Sequence, residues 1–492
     1  MARTLTNNTS LLYSIEASPG VLAGSPVWKQ LEPNAVTSYG ASISTVARSP
    51  ISKNRQRKKG TITDLDSAAE FEADLTIDVF KDFMEGFVCS KFVGPVSVNP
   101  TAATTAAFTV PTMAAVIPAN ALVFTRGFVN AANNGLKVVT TGGTTTSIPI
   151  LGGGLVAETP AAARNASLEV TGFRFSSGDL QVDAQGNLIT TTKNLTELGL
   201  TPGQSIWIGG ALVANQFANA NNKGFARVVA IATNKLTLDK KSQTFATDNG
   251  AGKTIDLYFG RFLKNVPVDD INFLDRSYQF ELAYKDLEAV GTDAYEYSLG
   301  NVCNTISFEL PLTNKATGTF GFVGTDTPVP TATRAANAAT PLVPVETSAF
   351  NTSADIARLR ITQLDEVGLT TDFKSLTISI NNNRGPEKVL GRLGARFMNI
   401  GNFEVDIEAQ MLFTNKGIVQ AVRDNTTLTM DFSIRNSDGA ILVDIPAMTL
   451  GGGDREYPVN ESILVNATSA AFGDATFNAS IMVSMFPYAP NF

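Results

Sequence analysis

A strand that runs directly into a helix, present twice in the chain, constrains the fold more than any other feature of the sequence. In the segment 70–79, apolar residues at odd positions alternate with polar ones, among them Glu72, Asp74 and Asp78. A period of two is typical of a half-buried strand, here with an acidic outer face. Over 80–88 the apolar residues instead fall at helical spacing, which predicts a short amphipathic helix.

The same unit returns at 403–422. Apolar residues there alternate with Glu404, Asp406 and Glu408, and a short helical pattern follows at 418–422. The pattern Phe-Glu-x-Asp-Leu/Ile occurs in both copies, at an offset of 403 − 71 = 332 residues. We therefore predict a duplicated β domain that has one acidic strand face in each copy.

Composition agrees with a β protein. The chain has 492 residues, of which 43% are hydrophobic and 17% charged, so it is globular and long enough for about three domains. The 40 Gly and the many Thr, Val and Asn residues favour strands and turns over long helices. The predicted fold class is mainly β, with two tandem barrel or sandwich domains, each with a short flanking helix, and an inserted pair of small β modules.

Charge and residue usage exclude several kinds of function. The net charge of −7 and the pI of about 5.0 argue against general attraction to nucleic acid. The chain has no His, which excludes Ser-His-Asp and Cys-His catalysis. The chain has two Cys, Cys89 and Cys303, which do not indicate a disulfide framework, so we expect a reducing compartment. We expect both cysteines to be buried as small apolar residues.

The sequence shows neither a secretion signal nor a membrane span. Its first ten residues contain no apolar core of the kind that a signal peptide needs, and no run of eighteen apolar residues occurs. We expect a protein with no membrane partner.

The long stretch between the first helix and the later strands is predicted to be an insert. It is poor in charged residues and contains its own weak repeat, in which 130–139 resembles 219–229. Each copy of the repeat predicts a turn that is followed by a strand. Two tandem β modules are the preferred interpretation, and a low-complexity linker is the competing one. The predicted organisation is an N-terminal arm (1–35), a first domain (36–92 and 262–325), the insert (93–261), a linker (326–354) and a second domain (355–492).

Further strands are predicted outside the insert by alternation and β-branched content. In the first domain they are Tyr39–Ala47, Tyr278–Tyr284 and two strands within Tyr295–Leu312. In the second they are Leu376–Ile380, Thr427–Ile434 and Ala440–Pro446. Gly451–Asp454 is expected to form a turn.

A basic run precedes the first acidic strand. It contains five cations, Lys53, Arg55, Arg57, Lys58 and Lys59. One interpretation is a solvated hairpin loop, and another is a loop that docks on an acidic surface of a second copy. A nucleic-acid patch is disfavoured because no aromatic residues are interleaved with the cations.

The acidic strands offer little for catalysis. Neighbouring carboxylates on one strand face lie about 6–7 Å apart, as the catalytic pair does in some glycosidases. Such rows are far more often simply the solvent-exposed face of a sheet. No calcium-binding loop occurs, and Gly451–Asp454 does not lead into a phosphate-binding helix. We therefore expect no catalytic residue, no metal and no cofactor. Two similar β domains in one chain instead suggest a ring of three chains with pseudo-sixfold symmetry.

Several stretches resemble the major tail tube proteins of phages with long, non-contractile tails. They are residues 57–66 (RKKGTITDLD), the acidic strand with the helix ending Phe83–Phe87, and in the second half Ser379–Asn383 and Asp444–Pro446. The resemblance covers roughly 10–92 and 262–490 and leaves the insert without a counterpart.

This resemblance implies a virion protein, made and assembled in the bacterial cytoplasm, whose rings stack into a hollow tube for DNA ejection. A negative lumen would let DNA pass without specific binding. The role of lining the lumen is carried onto Glu72, Asp74, Asp78, Glu404, Asp406 and Glu408, and that of ring stacking onto Lys53, Arg55, Arg57, Lys58 and Lys59. The expected partners are further copies of the chain and the tape measure, tail terminator and distal tail proteins.

The duplication departs from the commoner single-domain members, which assemble as six chains, and so favours a trimer over a hexamer for each ring. The acidic strand face could line the lumen or face the outside of the tube. An alternative function is a carbohydrate- or cell-surface-binding β adhesin, suggested by the Thr-, Asn- and Gly-rich insert. A carboxylate-based hydrolase is the third hypothesis.

Overall fold

The computed structural model describes residues 4–22, 24, 26–51, 53, 55–161, 164–335, 341–342, 347–363, 368–370, 372–488 and 490. Within these ranges strands are far more common than helices and form several sheets. The prediction of a mainly β fold is therefore confirmed. No helix in the same ranges has the length and apolar character that crossing a membrane requires.

The first half of the chain is built around the insert. Before the insert come β1 (Thr9–Ile15), β2 (Lys29–Leu31), β3 (Ala35–Arg48), β4 (Lys58–Asp74) and helix α1 (Ile77–Phe87). The insert contains β5 (Ser97–Val98), β6 (Ala102–Ala103), β7 (Ala107–Thr109), β8 (Ala121–Arg126), β9 (Gly135–Val138), β10 (Ser147–Pro149), β11 (Ser167–Phe175), β12 (Leu180–Val182), β13 (Leu188–Thr190), β14 (Ser205–Ile208), β15 (Gly224–Ala232), β16 (Lys235–Asp239), β17 (Ile255–Tyr258) and β18 (Arg261–Lys264). Short 3₁₀ turns lie at Thr6–Asn8, Ala131–Asn133, Leu195–Leu198, Val213–Asn215 and Ala220–Asn222.

The chain then completes the first half and repeats it. The strands after the insert are β19 (Ser277–Tyr284), β20 (Ala294–Leu310) and β21 (Thr317–Gly324). The second half contains β22 (Ile356–Gln363), β23 (Gly368–Thr370), β24 (Phe373–Asn381), β25 (Gly385–Lys388), β26 (Ala395–Asn399), β27 (Glu404–Leu412), helix α2 (Gly417–Arg423), β28 (Leu428–Asn436), β29 (Gly439–Glu456), β30 (Leu464–Ala471) and β31 (Met482–Phe486).

Two compact units are formed from these segments. The first comprises Met1–Cys89, Ile271–Pro344 and Ser375–Ala409. The second comprises Ser90–Asp270, Val345–Lys374 and Gln410–Phe492, so it contains the insert.

Strand β20 is the centre of the first unit. Its first half pairs with β19, and its second half lies between β21 and β24. Strand β19 continues the sheet to β1 and β2, while β21 continues it to β4 and β3. All of these pairings are antiparallel, as is usual for strands joined by short connections.

Helix α1 closes the core of the first unit with aromatic side chains. The helix begins where Thr76 Oγ1 accepts a hydrogen bond from Val79 N, 3.2 Å away, which is a typical N-cap. Its buried face brings Phe83 to 4.8 Å from Tyr13 and 5.6 Å from Phe71, measured between ring centroids. The predicted amphipathic helix is therefore confirmed, and it packs on the buried face of the acidic strand.

Strand β29 is the centre of the second unit. Its first part pairs with β28 and β31, and its last part pairs with β30. Strands β22 and β23 extend the sheet beyond β28. Strand β18, which begins at the last residue of the predicted insert, pairs with β31, so the chain that leaves the insert joins the sheet of the second half.

The two halves use the same order of paired elements. Strands β1, β19, β20 and β21 pair in succession, as do β22, β28, β29 and β30. Leu75 N donates to Ala316 O and Phe413 N donates to Ile463 O, both at 2.9 Å, which makes Leu75 equivalent to Phe413. The structural offset is thus 413 − 75 = 338 residues rather than 332, and because both offsets are even the acidic faces still correspond.

The insert contains two β modules with separate cores. Phe108 and Leu168 belong to the first core, and Phe175 and Leu236 belong to the second. The Asn-rich repeat has the same role in both: Asn133 exchanges hydrogen bonds of 2.9 and 2.8 Å with the backbone of Val156, and Asn222 exchanges two of 2.8 Å with that of Ala246. In both modules these side-chain bonds take the place of one pair of backbone hydrogen bonds, so the Asn-rich repeat has a structural role.

Buried charges hold the second module on the second half of the chain. Arg227 of the insert binds Asp239 through two nitrogens, at 2.9 and 2.6 Å, and Asp444 through the third, at 2.9 Å. Lys240 lies 2.6 Å from Asp444 and also donates to Thr429. Because both lysine and carboxylate are almost completely buried, separating them would leave unpaired charge in the interior.

Three predicted details were wrong. The acidic strand ends at Asp74 and not at Val79, because residues 77–87 form the helix. The segment Tyr295–Leu312 forms one strand instead of two, with a bulge between Cys303 and Thr305. Gly451–Asp454 continues β29 through a bulge instead of turning, since Gly452 and Gly453 adopt positive φ angles of 72° and 84°.

The start of the predicted linker lies against the first unit's sheet. Asp326 and Thr331 form isolated bridges to Leu299 and Tyr295 of β20. The parts of the predicted linker at 336–340 and 343–346 lie outside the described residues. Cys89 and Cys303 are both buried free thiols, as predicted.

Replacing Gly86 with alanine should destabilise the first unit, although alanine normally favours a helix. A Cβ atom at Gly86 would lie 2.5 Å from Cys303 Sγ and 2.9 Å from the Tyr278 hydroxyl. We expect Gly86→Ala to lower the free energy of unfolding by about 1–3 kcal/mol, measured by urea unfolding of the unassembled chain. In a Cys303→Ala background the cost should be smaller. An equal cost in both backgrounds would contradict the close approach of helix and strand.

Acid should destabilise the first insert module through Glu158. Desolvation disfavours its charged form, but hydrogen bonds from Val129 N, Asn130 and Asn133 outweigh this and lower the pKa of Glu158 from 4.5 to about 2. Because the folded pKa is depressed, this stabilisation is complete above about pH 4.5 and is lost as the pH falls towards 2. Thermal unfolding should therefore show a smaller loss of Tm between pH 5 and pH 3 for Glu158→Gln than for the wild type. Glu461→Gln, at an exposed carboxylate, is the control, and it should behave as the wild type.

Candidate functional site

The first acidic row lies on the outer face of β4. Leu65, Ser67, Ala69, Phe71 and Ala73 are buried, and the intervening residues are half-buried or exposed. This alternation places Glu72 and Asp74 on the outer face, as the sequence predicts. Their cross-strand neighbours on β21 are Thr319 and Thr317.

One lysine and two hydrogen-bond donors offset part of the negative charge of this first row. Asp74 lies 2.6 Å from Lys315 and accepts a hydrogen bond from Asn34. Glu70 accepts a hydrogen bond of 2.7 Å from Thr37 of β3. The negative potential of this row is therefore weaker than its count of carboxylates suggests.

The second acidic row, on β27, is more open to solvent. Glu404, Asp406 and Glu408 are exposed, and they alternate with the buried residues Val405, Ile407 and Ala409. With the offset of 338 residues, Glu404 corresponds to Asp66 and Glu408 to Glu70. The two halves thus present carboxylates at two equivalent positions of the same strand face.

Asp78 does not belong to either row. It lies in the first turn of helix α1, where a carboxylate favours the positive end of the helix dipole. The sequence placed it on the strand because Leu75 and Ile77 are both buried, and they continue the alternation through the turn before the helix.

The basic run lies at the tip of a long exposed hairpin. We name residues 42–63, the outer parts of β3 and β4 and the loop between them, the first arm. Lys53, Arg55 and Arg57 lie in the loop, whereas Lys58 and Lys59 already belong to β4. All five cations are exposed, and so are Ile43, Val46, Ile51 and Ile62.

The second half has a corresponding hairpin that the sequence analysis did not find. Strands β25 and β26 form this second arm (residues 385–399), which follows β24 as the first arm follows β3. Leu390 and Phe397 are strongly exposed, at 105% and 59%. Two glycines with positive φ, Gly391 and Gly394, were the available signal of a turn between two short strands.

The second arm is connected to β4 just beyond the end of the first arm. Lys388 of the second arm lies 2.6 Å from Asp64 and 2.7 Å from Asp66, both on β4. The hydrogen bond from Lys388 lowers the pKa of Asp64. As all three side chains are at least one-third exposed, this bridge orients the arms more than it stabilises the fold.

The two halves join edge to edge between β20 and β24. Six residue pairs form this joint, from Thr305 with Asn381 to Leu310 with Leu376. Leu376, Ile378 and Ile380 of β24 are each only 1% exposed.

The corresponding edges at the other ends of the two halves have no partner within the described residues. Strand β3, which corresponds to β24, pairs only with β4. Glu309 of β20 pairs with Thr317 at the start of β21, and Glu456 of β29 pairs with Leu464 at the start of β30. Glu309 is therefore equivalent to Glu456. The stretch 305–310 of β20, which pairs with β24, thus corresponds to 452–457 of β29. In the described chain this last stretch of β29 pairs only with β30.

The carboxylates of the two acidic rows lie along strand faces. Among them no three Cys, Asp or Glu side chains come close enough to hold a metal ion. The acidic rows are parts of strand faces rather than of enclosed sites.

Comparison with protein-family models shows which family the chain resembles over most of its length. The family described as phage tail tube protein matches residues 6–467, which span both halves and the insert. A comparison with curated proteins finds no match. The chain therefore belongs to the phage tail tube protein family, whose members are structural proteins of the virion tail.

Proposed function

We propose that three copies of this chain close into a ring and that such rings stack into the hollow tail tube through which DNA leaves the virion. The observation that carries this proposal is the joint between β20 and β24. It joins the two halves of one chain through edges whose counterparts, on β3 and β29, have no further partner strand in the part of the chain that the structure describes.

Ring closure follows if the joint between halves is repeated between chains. The last stretch of β29 would pair with β3 of the next copy, in the way that β20 pairs with β24. This pairing would satisfy backbone groups that otherwise form an exposed sheet edge. It would also cover Val36, Ile43 and Val46 of β3, which are 40%, 54% and 60% exposed.

Three chains are favoured because each contributes two equivalent halves. A trimer then has six joints, three within chains and three between them. Six chains would give twelve halves around one ring and a much wider hole. Closed rings of identical contacts are the usual outcome of a heterologous interface whose rotation closes.

The acidic rows are proposed to line the lumen. DNA binds proteins mainly through its phosphates, and each phosphate contact with Lys or Arg adds affinity. A wall with Glu72, Asp74, Glu404, Asp406 and Glu408 would repel the phosphates instead, and DNA would slide without being retained. Asp78 is a weaker candidate because it lies on the helix.

The tip of the first arm, which carries Lys53, Arg55, Arg57, Lys58 and Lys59, and the second arm are proposed to contact the adjacent ring. Each carries exposed apolar side chains together with cations, in an otherwise acidic protein. Such surfaces favour association with an acidic face of another copy. The ends of the stack would bind the tail terminator and distal tail proteins, and the lumen would hold the tape measure protein during assembly in the host cytoplasm.

Charge on the β3 edge should block ring formation without unfolding the chain. We expect Ile43→Glu together with Val46→Glu to raise the concentration needed for assembly by at least about tenfold, since the apolar contact would be lost and charge buried. Sedimentation velocity measures assembly, and thermal unfolding of the monomer should be unchanged. Leu212→Glu, at an insert residue that is 67% exposed, is the matched control and should assemble normally. Normal assembly of the β3 variant would exclude this edge as the interface.

Reversing the charge of the second acidic row should make the tube retain DNA. Virions with Glu404→Lys, Asp406→Lys and Glu408→Lys should eject more slowly or incompletely, and high salt should relieve the defect because the attraction is to phosphates. DNA release into medium that contains nuclease and a fluorescent dye measures ejection. Virions with Asp269→Lys, Glu288→Lys and Glu461→Lys carry the same charge change at other exposed positions and should eject normally. Equal behaviour of both sets would show that the row does not face the DNA.

A further inference from the structure

A lysine and an aspartate meet in the interior of the second unit, where the insert packs on the second half of the chain. Lys240 Nζ lies 2.6 Å from Asp444 Oδ1, and the two side chains are only 4% and 2% exposed. Lys240 follows β16 of the insert, whereas Asp444 lies on β29, 204 residues further along the chain. Removing two such charges from water costs free energy, so a reaction that made the pair neutral would remove this cost.

The two groups are placed as reactants for an amide bond. A nitrogen that donates a hydrogen bond to one carboxyl oxygen lies about 3–3.5 Å from the carboxyl carbon, which is the range from which attack takes place. Thr429 Oγ1 accepts a further hydrogen bond from Lys240 Nζ and itself donates to Ile445 O at 2.9 Å. The fold therefore holds the lysine nitrogen against the carboxyl group of Asp444.

The interior favours the uncharged amine that attack requires. Burial lowers the pKa of Lys240, although the charge of Asp444 opposes this effect. A proton can pass from Nζ to Oδ1 along the hydrogen bond that joins them, which gives an amine and a carboxylic acid. Among the described residues, the space that Lys240, Asp431 and Asp444 line has no volume for a water molecule. Water is therefore kept from solvating the charged pair and from hydrolysing an amide formed there.

Two neighbouring side chains can assist the reaction. Arg227 Nη1 donates to Asp444 Oδ2 at 2.9 Å, so negative charge that develops on this oxygen during attack would face a guanidinium group. Asp431 Oδ1 lies 4.0 Å from Lys240 Nζ. Burial alone would raise the pKa of Asp431, but hydrogen bonding from Arg358 outweighs it and lowers the pKa. Asp431 is therefore ionised and able to accept a proton.

We infer that Lys240 and Asp444 join in an isopeptide bond, which links the insert covalently to the second half of the chain. Lysine Nζ attacks the carboxyl carbon of Asp444, and Oδ1 leaves as water. Of the three ammonium protons, one stays on the amide nitrogen and one passes directly to Oδ1. The third reaches Oδ1 through Asp431, so the ammonium and the carboxylate become one amide and one water molecule.

The charges that remain after this reaction keep their partners. Arg227 still binds Asp239 through two nitrogens, at 2.9 and 2.6 Å. Arg358 and Arg360 still share Asp431. The bond is independent of the proposed function, because it forms within one chain and involves neither the β3 edge nor the acidic rows.

Mass spectrometry of the full-length chain tests the bond. The folded wild type is kept overnight and then unfolded, and its mass should be lower than that of its sequence by one water molecule. Trypsin should release 236–241 and 436–455 as one linked species, because a modified Lys240 is not cleaved. Lys235 and Asp183 also lie 2.8 Å apart, but they are 38% and 13% exposed. Water reaches this second pair, so it should stay unlinked.

Lys240→Arg is the control, because a guanidinium group keeps the positive charge but is a poor nucleophile. This variant should have its full sequence mass, apart from changes that it shares with the wild type, such as removal of the first Met. A loss of water that persists in Lys240→Arg, for example through a succinimide at Asp438, belongs to another reaction. Asp431→Asn should lower the linked fraction by at least about tenfold, because it removes the proton acceptor.

Three results would overturn the inference: the full sequence mass in the wild type, which would leave an ion pair only; an equal loss of water in Lys240→Arg; or no linked species among the tryptic peptides. An unchanged linked fraction in Asp431→Asn would contradict the role of Asp431. The wild-type peptides alone answer the question if a variant does not fold.

Discussion

The pairing of β20 with β24 is the interaction on which the rest of the architecture depends. A β-sheet edge presents unpaired peptide groups that must find a partner or be protected. By joining the two halves through six residue pairs, the chain uses one edge of each half, and the corresponding edges, on β3 and at the end of β29, have no further partner strand within the described residues. These two edges match the pair already joined. Under the proposed function, further copies of the chain would pair with them.

Helix α1 covers a strand of the first half, and the insert is bonded to the second half. Helix α1 covers the inner face of β4 with Phe83, whose ring lies 5.6 Å from that of Phe71, and this leaves the acidic face of the same strand outside. The insert is attached more firmly than a flexible decoration would be. Strand β18 extends the sheet of the second half, and Arg227 and Lys240 share the buried carboxylate of Asp444. Separating the two would expose apolar surface and leave buried charges unpaired, so we expect them to move together.

The sequence predicted local patterns well and their spatial arrangement less well. Alternation identified the strand with Phe71, and helical spacing identified the helix with Phe83, because both patterns record which side chains are buried. The sequence shows the Asn-rich repeat but not the role of Asn133 and Asn222, because their backbone partners lie more than twenty residues further along the chain. The similarity of Phe71 and Phe403 gave an offset six residues too short, since a shift by an even number keeps every side chain on the same face. The second arm, with its exposed Leu390 and Phe397, has no burial pattern from which it could be predicted. The ion pair between Lys240 and Asp444 joins residues 204 positions apart, which only the fold brings together.

Cryo-electron microscopy of the assembled protein tests the central claim most directly, because it shows both the symmetry of the ring and the strands that join its subunits. We expect a hollow stack with three chains in each ring, in which β3 of one chain pairs with the end of β29 of the next. Glu404, Asp406 and Glu408 should face the hole. Six chains in each ring, or a ring joined through surfaces other than these two edges, would contradict it.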